Sequence, residues 1–282
     1  MAKKTRKEFE WIYEVISAQR ELLKGKSAAL SELYRMCDSE DQLDLVTSLL
    51  KRFDYVDANI YANLLEQMAN HIYNLNYPEK EIAITAMTIK MDADSSQEIL
   101  QHLKVQLGLK FGHRVLDSNL LTEENILRNY ELGCKHFIAV DEFTGTGSTI
   151  VERFNRFKKM SLRNATIEFC IMSGMEDALI HVQKAGIPIK IFNLLRKGIS
   201  NFYPTEEIQH NLDQMYALEG KLAEKIDKTK LAEHSLGFRR SESLYYKFIG
   251  NIPNNVFPIF WWKEYTGNKS RKPLFTRVQK GY

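Results

Sequence analysis

The chain's 282 residues, 44% of them hydrophobic, are enough to bury a sizeable core, as one large globular domain or as one domain with appendages. Its 39 basic and 36 acidic residues leave a formal charge of +3, which excludes a global field that would demand nucleic acid or a membrane surface as partner. Cys37, Cys134 and Cys170 lie far apart without CxxC or Cys/His ligand spacing, so neither a disulfide framework nor a zinc site is indicated; no apolar run nears the roughly 18 residues of a span, and no signal-peptide apolar region opens the chain, so a reducing cytoplasm is expected.

From Lys7 to about Leu75, apolar residues recur at three- and four-residue spacing, as in "DQLDLVTSLLKRF" and "NIYANLLEQMANHIYNL". This predicts a helical preamble with Asp38 and Asp57 as caps. Pro78 breaks it. "EIAITAMTI" (81–89) then reads as a strand, "KMDADSSQ" as a turn, and "SSQEILQHLKVQL" as a helix capped by Asp94 or Ser95. Residues 109–122, with Gly112, His113 and Arg114, show no period and are expected to be a loop; "EENILRNYELG" is a short helix.

"KHFIAV" is a buried strand, followed by "DEFTGTG" and the helix "STIVERFNRFKKM". Then come the strand 165–175, a helix closed by Gly186, and the strand "PIKIFNLLRKG". Strands alternating with helices predict a parallel sheet, and both polar turns fall at the carboxyl ends of its strands, where such sheets bind ligands. Residues 205–233 return to helix. "LGFRRSESLYYKFIGNIPNNVFPIFWWKEY" lacks helical periodicity and reads as an aromatic cap. The organisation expected is an N-terminal helical extension (1–78), an α/β core (79–204) and a helical segment with a C-terminal cap (205–282).

A strand, a Gly/Ser/Thr loop and a helix form a phosphate cradle, because small residues let backbone N–H groups converge on an anion. A Walker A loop would need Lys after Gly147, and a dinucleotide fingerprint would need a third glycine after Gly145 and Gly147; both fail here. Val140, Asp141, Glu142, Phe143, Thr144, Gly145, Thr146, Gly147, Ser148 and Thr149 resemble instead the motif of type I phosphoribosyltransferases. Taken with "DSSQEILQHL", "NIPNNVFPIFWW" and "RKPLFTR", residues 38 to 277 resemble the phosphoribosyltransferase-like domain of prokaryotic conflict systems, PRTase-CE.

The resemblance implies a type I phosphoribosyltransferase-like α/β fold, with a mostly parallel central sheet flanked by helices, and a site for phosphoribosyl pyrophosphate or a nucleotide, with Mg²⁺. Asp141 and Glu142 would take the ribose hydroxyls, and Phe143 to Thr149 the 5′-phosphate. Glu142 departs from the Asp usual at its position and moves the contact by about one methylene. Asp92, Asp94, Ser95 and Ser96 would form the pyrophosphate or Mg²⁺ wall, with Asp92 and Asp94 as metal ligands. His113 and Arg114 would supply charge on a lid, and Arg196 and Lys197 charge at a strand end.

The resemblance further implies a toxic effector of antiphage defence, oligomeric or not, beside a reverse transcriptase with its RNA–DNA product or another defence protein. The alternatives are an inactive module that binds a nucleotide signal and a scaffold in a nucleoprotein complex. The scaffold would use the basic tail Lys269, Arg271, Lys272, Arg277 and Lys280. Trp261 and Trp262 could stack a base or be core, and Asn254 and Asn255 could bind a base or support a turn.

Overall fold

The computed structural model describes residues 5–89, 94–111, 117, 118 and 120–278. They form two compact units, one of Ala58–Leu195 and one of the described residues of Met1–Asp57 with Arg196–Tyr282.

The chain begins with helices α1 (Arg6–Ala18), α2 (Arg20–Leu23), α3 (Ser27–Met36) and α4 (Glu40–Lys51), then strand β1 (Asp54–Val56). Thr5 caps α1 by accepting from the Glu8 amide at 3.1 Å. Asp38 was expected to cap α4, but Ser39 does so. Its Oγ accepts from the Gln42 amide while the Gln42 side chain accepts from the Asp38 amide, so one reciprocal pair satisfies both donors. β1 interrupts the expected run of helix.

The sheet unit opens with α5 (Ala58–Asn74) and continues with β2 (Ile82–Ala86), α6 (Ser95–Phe111), β3 (Asp117–Ser118), α7 (Glu123–Glu131), β4 (His136–Thr144), α8 (Ser148–Lys159), β5 (Thr166–Met175), α9 (Glu176–Lys184) and β6 (Ile189–Leu195). The strands stand in the order β3-β2-β4-β5-β6, all parallel. The fold is thus the expected α/β class with a parallel central sheet. β2 is buried along its length, as a strand covered on both faces must be, which is why it reads as an unbroken apolar run.

Odd positions on the central strands, Phe137, Ala139, Ile167, Phe169 and Ile171, share a core with Ile150 and Phe157 of α8 and Val182 of α9. α5 and α6 pack on the opposite face, against β2, β4, β5 and β6. Succession runs from β2 to β3 in one direction and from β4 to β6 in the other. The switch point therefore lies between β2 and β4, and it opens a crevice beyond their carboxyl ends, where α6 and α8 begin. Some boundaries differ from expectation: β2 stops at Ala86, and the 109–122 segment contributes the end of α6 and the edge strand β3.

The second unit continues with α10 (Thr205–Glu219) and the short strands β7 (Lys225–Ile226), β8 (Thr229–Lys230), β9 (Tyr245–Lys247), β10 (Glu264–Tyr265) and β11 (Lys269–Ser270). α10 ends at Glu219, short of the expected 233. The Glu219 carboxylate is buried and accepts from Ser235 Oγ and the Leu236 amide, which turns the chain back. β1 pairs in parallel with β9, Tyr55 beside Tyr246.

The aromatic cap is core. Phe257, Phe260, Trp261 and Trp262 are buried with Leu45, Leu49 and Met215, and both indole N–H groups donate to backbone carbonyls, Trp261 to Val256 and Trp262 to Ala223. Asn254 and Asn255 support a turn: their carbonyls accept from the Phe238 and Ser243 amides, and the Asn255 side chain donates to Ser241 Oγ.

The basic tail is not a solvated cationic strip. Arg271 is buried and donates to the carbonyls of Trp262 and Ile259, and Arg277 donates to that of Ile252. Lys269 and Lys272 are exposed, and Lys280 lies outside the described residues. Arg271→Ala strands buried carbonyls and should cost roughly 2 to 3 kcal/mol in urea unfolding, while Lys269→Ala stays within about 0.5 kcal/mol.

Candidate functional site

β4 extends past the expected end of its apolar run, so Asp141, Glu142, Phe143 and Thr144 are strand residues. Asp141 pairs with Ile171 and Thr144 with Gly174 on β5, which fixes the acids to the most buried part of the sheet. Asp141 is 9% exposed and Glu142 7%.

Asp141 Oδ1 accepts from the Glu142 amide at 2.7 Å and from Ser95 Oγ at 3.4 Å. Burial, and then the charges of Asp94 and Glu142, push its pKa up to about 8, against the pull of those two hydrogen bonds. Asp94 caps α6, its Oδ1 accepting from the Ser96 amide at 3.0 Å and Ser96 Oγ at 2.8 Å. The two turns singled out in the sequence thus meet at the switch point.

Past Thr144 the chain turns into α8 through Gly145, Thr146 and Gly147. Gly147 holds φ +73° at the N-cap, where no side chain caps the helix. A Cβ there would stand 2.6 Å from Val182 Cγ2 and 3.0 Å from the Ala178 carbonyl. Thr146 Oγ1 accepts from the Ser148 amide at 3.4 Å, and His181 Nδ1 on α9 donates to the Thr146 carbonyl at 2.8 Å. The turn delivers Ser148 and Thr149 as the first residues of α8, where helix amides face outward and favour an anion.

Thr144 is held from behind. A Cβ on Gly174 would fall 2.7 Å from Thr144 Cγ2 and 2.9 Å from Ile191 Cδ1. Gly174→Ala should cost roughly 1 to 3 kcal/mol in thermal unfolding, with Thr144 displaced.

The structure brings together Asp94, Ser95 and Ser96 with Asp141, and Glu142 with the turn Phe143 to Thr149. Asp92, His113 and Arg114 lie outside the described residues. Arg196 and Lys197 follow β6 directly but belong to the other unit, where the Lys197 amide donates to Asn201.

Sequence reasoning missed Tyr61 on α5 and His102 on α6, joined at 2.7 Å between the phenol and Nδ1. Burial and the charges of Glu98 and Glu142 raise the Tyr61 pKa, which marks Glu142 as its neighbour. Both residues sit in ordinary helical periodicity, so only the long-range packing reveals them. His181 was likewise unmarked.

A parallel α/β sheet whose buried acids run into a glycine-capped helix at its switch point is the arrangement found here. The chain belongs to the PRTase-CE family, whose model matches residues 37–277. No curated protein matches the chain. Among solved structures it is similar to the xanthine-guanine-hypoxanthine phosphoribosyltransferase of Helicobacter pylori, with 9% identity and a TM-score of 0.28 over 50% of this chain and 83% of that one. It is also similar to the orotate phosphoribosyltransferase of Mycobacterium tuberculosis H37Rv in complex with 5-phospho-alpha-D-ribosyl 1-diphosphate, with 8% identity and a TM-score of 0.30 over 66% of this chain and 96% of that one. No helix among the described residues is long and apolar enough to cross a membrane.

Proposed function

We propose that the chain holds a ribosyl phosphate, either phosphoribosyl pyrophosphate or a nucleotide, in the crevice between β2 and β4 and acts on its C1′ centre as a phosphoribosyltransferase-like effector. The observation that carries this reading is the direct join between a buried acid pair, Asp141 and Glu142, and a helix N-terminus capped by a left-handed glycine. Acceptors and donors are thereby separated along one strand-to-helix turn. Asp141 and Glu142 accept from the ribose hydroxyls, and the amides and hydroxyls of Thr144 to Thr149 donate to the 5′-phosphate. Ser95 and Ser96 form the second wall.

A divalent cation suits the same residues. Burial first, and then the charges of Asp94 and Glu142, disfavour the ionised form of Asp141, and a cation there would offset both. Mg²⁺ would be held by Asp94 and Asp141 and would supply neutralisation of a departing pyrophosphate. The chain's own residues orient the sugar and fix the phosphate, so that C1′ is presented for displacement.

The setting we propose, from the family resemblance, is antiphage defence beside a reverse transcriptase with its RNA–DNA product or another defence protein. A second reading, a nucleotide sensor without turnover, is favoured by the pKa of about 8 at Asp141, which leaves that acid largely neutral at pH 7. Pyrophosphate release from phosphoribosyl pyrophosphate and Mg²⁺ separates the two. Release that disappears in Glu142→Gln supports the enzyme, saturable binding with no release supports the sensor, and absence of both defeats the ligand assignment.

A further inference from the structure

On the α5 face of the sheet, the structure assigns a transition-metal site, with Zn²⁺ as its natural occupant, to His71 of α5 with Glu168 and Cys170 of β5. The strand period of two sends Glu168 and Cys170 to the same face. α5 crosses that face and brings His71 Nε2 to 2.8 Å from Glu168 Oε1. One nitrogen, one carboxylate oxygen and the Cys170 Sγ all lie within 4.8 Å of one another.

Around a tetrahedral zinc, with bonds of about 2.0 to 2.3 Å, neighbouring ligand atoms stand about 3.5 Å apart. The His71–Glu168 contact at 2.8 Å must open slightly to reach that spacing, and all three ligand atoms already lie within 4.8 Å of one another.

The donor set decides the class of metal. An imidazole and a thiolate beside one carboxylate select Zn²⁺, Co²⁺ or Cu²⁺ over Mg²⁺ or Ca²⁺, which take oxygen. Access is graded: the His71 and Glu168 side chains are 27% and 17% exposed, while Cys170 is buried, so the ion enters from solvent and meets the sulfur at the floor. Three protein ligands would leave a fourth position for water. Phe192 packs edge-on against the His71 ring at 5.7 Å and limits its rotation. Lys190, opposite Cys170 on β6, carries the opposing charge; it is exposed and can keep its ammonium in water.

Binding releases the Cys170 thiol proton to solvent and converts a helix-to-strand contact into three coordinate bonds. The consequence is a clamp between α5 and β5. Cys170 also pairs in register with Val140, which immediately precedes Asp141, so the clamp braces the strand next to the acid pair without entering it.

The test uses the full chain, cleared of metal with EDTA and dialysed, then titrated with Co²⁺ and followed by Zn²⁺. One equivalent of Co²⁺ should produce a thiolate-to-cobalt absorption band, which one equivalent of Zn²⁺ abolishes. Zn²⁺ at a hundredfold excess over its Kd should raise the Tm by roughly 5 °C or more. The band should be lost in Cys170→Ala and in His71→Gln, and kept in Cys37→Ala. His71→Gln changes a residue whose side chain is partly exposed to solvent, so it should retain the fold, checked by circular dichroism, even where Cys170→Ala does not. No band at equimolar Co²⁺, a band that survives His71→Gln in folded protein, or one that vanishes with Cys37→Ala would each overturn the assignment.

Discussion

Asp141→Asn should make the protein more stable and less able to bind its ligand. Without added divalent cation, Asp141 has its pKa raised from an ordinary 3.8 to about 8 by burial and by the charges of Asp94 and Glu142. A group raised in this way binds its proton more tightly in the folded than in the unfolded chain. The stability it contributes is present below about pH 4 and is lost as pH rises through about 8. The neutral amide keeps acceptor geometry close to that of the carboxyl but never ionises. The variant's advantage over the native protein should therefore grow by up to about 1.4 kcal/mol per pH unit between pH 4 and 8, then level off.

Glu219, whose pKa is raised to about 7 by burial, titrates in the same sense in the other unit, but it is present in both proteins and cancels in the comparison. Urea unfolding at several pH values reads the difference, and calorimetric titration with phosphoribosyl pyrophosphate and Mg²⁺ reads the binding. A flat difference across pH 4 to 8 would mean that Asp141 is ionised throughout in the folded state. A variant that gains stability but binds normally would move the ribose contact elsewhere. The pairing of gain and loss is the mark of a carboxyl kept in place for its ligand at the expense of stability.

Most of this site was legible because its signals are local. "DEFTGTGST" states both halves of the cradle in consecutive residues, and "DADSSQ" marks the start of α6 through the capping chemistry of Asp94. The parallel sheet followed from strand and helix alternation. What escaped the sequence was nonlocal. β1 exists because it pairs with β9 near the other end of the chain, and nothing in "DYV" itself overrides the surrounding helical periodicity. The strand β4 runs through Asp141 and Glu142 because β5 offers hydrogen-bond partners as far as Gly174, whereas acids alone suggest a turn. Arg271 and Arg277 looked like solvated charges because burial cannot be seen in a run of basic residues. The fold makes Arg271 donate to two backbone carbonyls and Arg277 to one.

The turn proposed to hold the phosphate should fail with a single methyl group. At Gly147, Ala must adopt φ +73°, a left-handed conformation that costs an L-residue roughly 1 to 2 kcal/mol. Its Cβ must also fit 2.6 Å from Val182 Cγ2 and 3.0 Å from the Ala178 carbonyl, and forcing α8 away from α9 adds roughly 1 to 3 kcal/mol more. Gly147→Ala should thus lose about 2 to 5 kcal/mol in urea unfolding, or else relax by flipping the turn. Either outcome moves the Ser148 and Thr149 amides from the position proposed for phosphate binding, and on that reading affinity for phosphoribosyl pyrophosphate should fall by about a hundredfold or more. The two causes separate in a double variant. Val182→Ala removes the methyl at 2.6 Å but leaves both the Ala178 carbonyl and the backbone angle. Gly147→Ala with Val182→Ala should recover part of the stability yet little of the binding, because the steric term is relieved and the left-handed turn still is not. Full recovery of binding would show that contact with α9, and not the glycine conformation, sets the geometry of the turn.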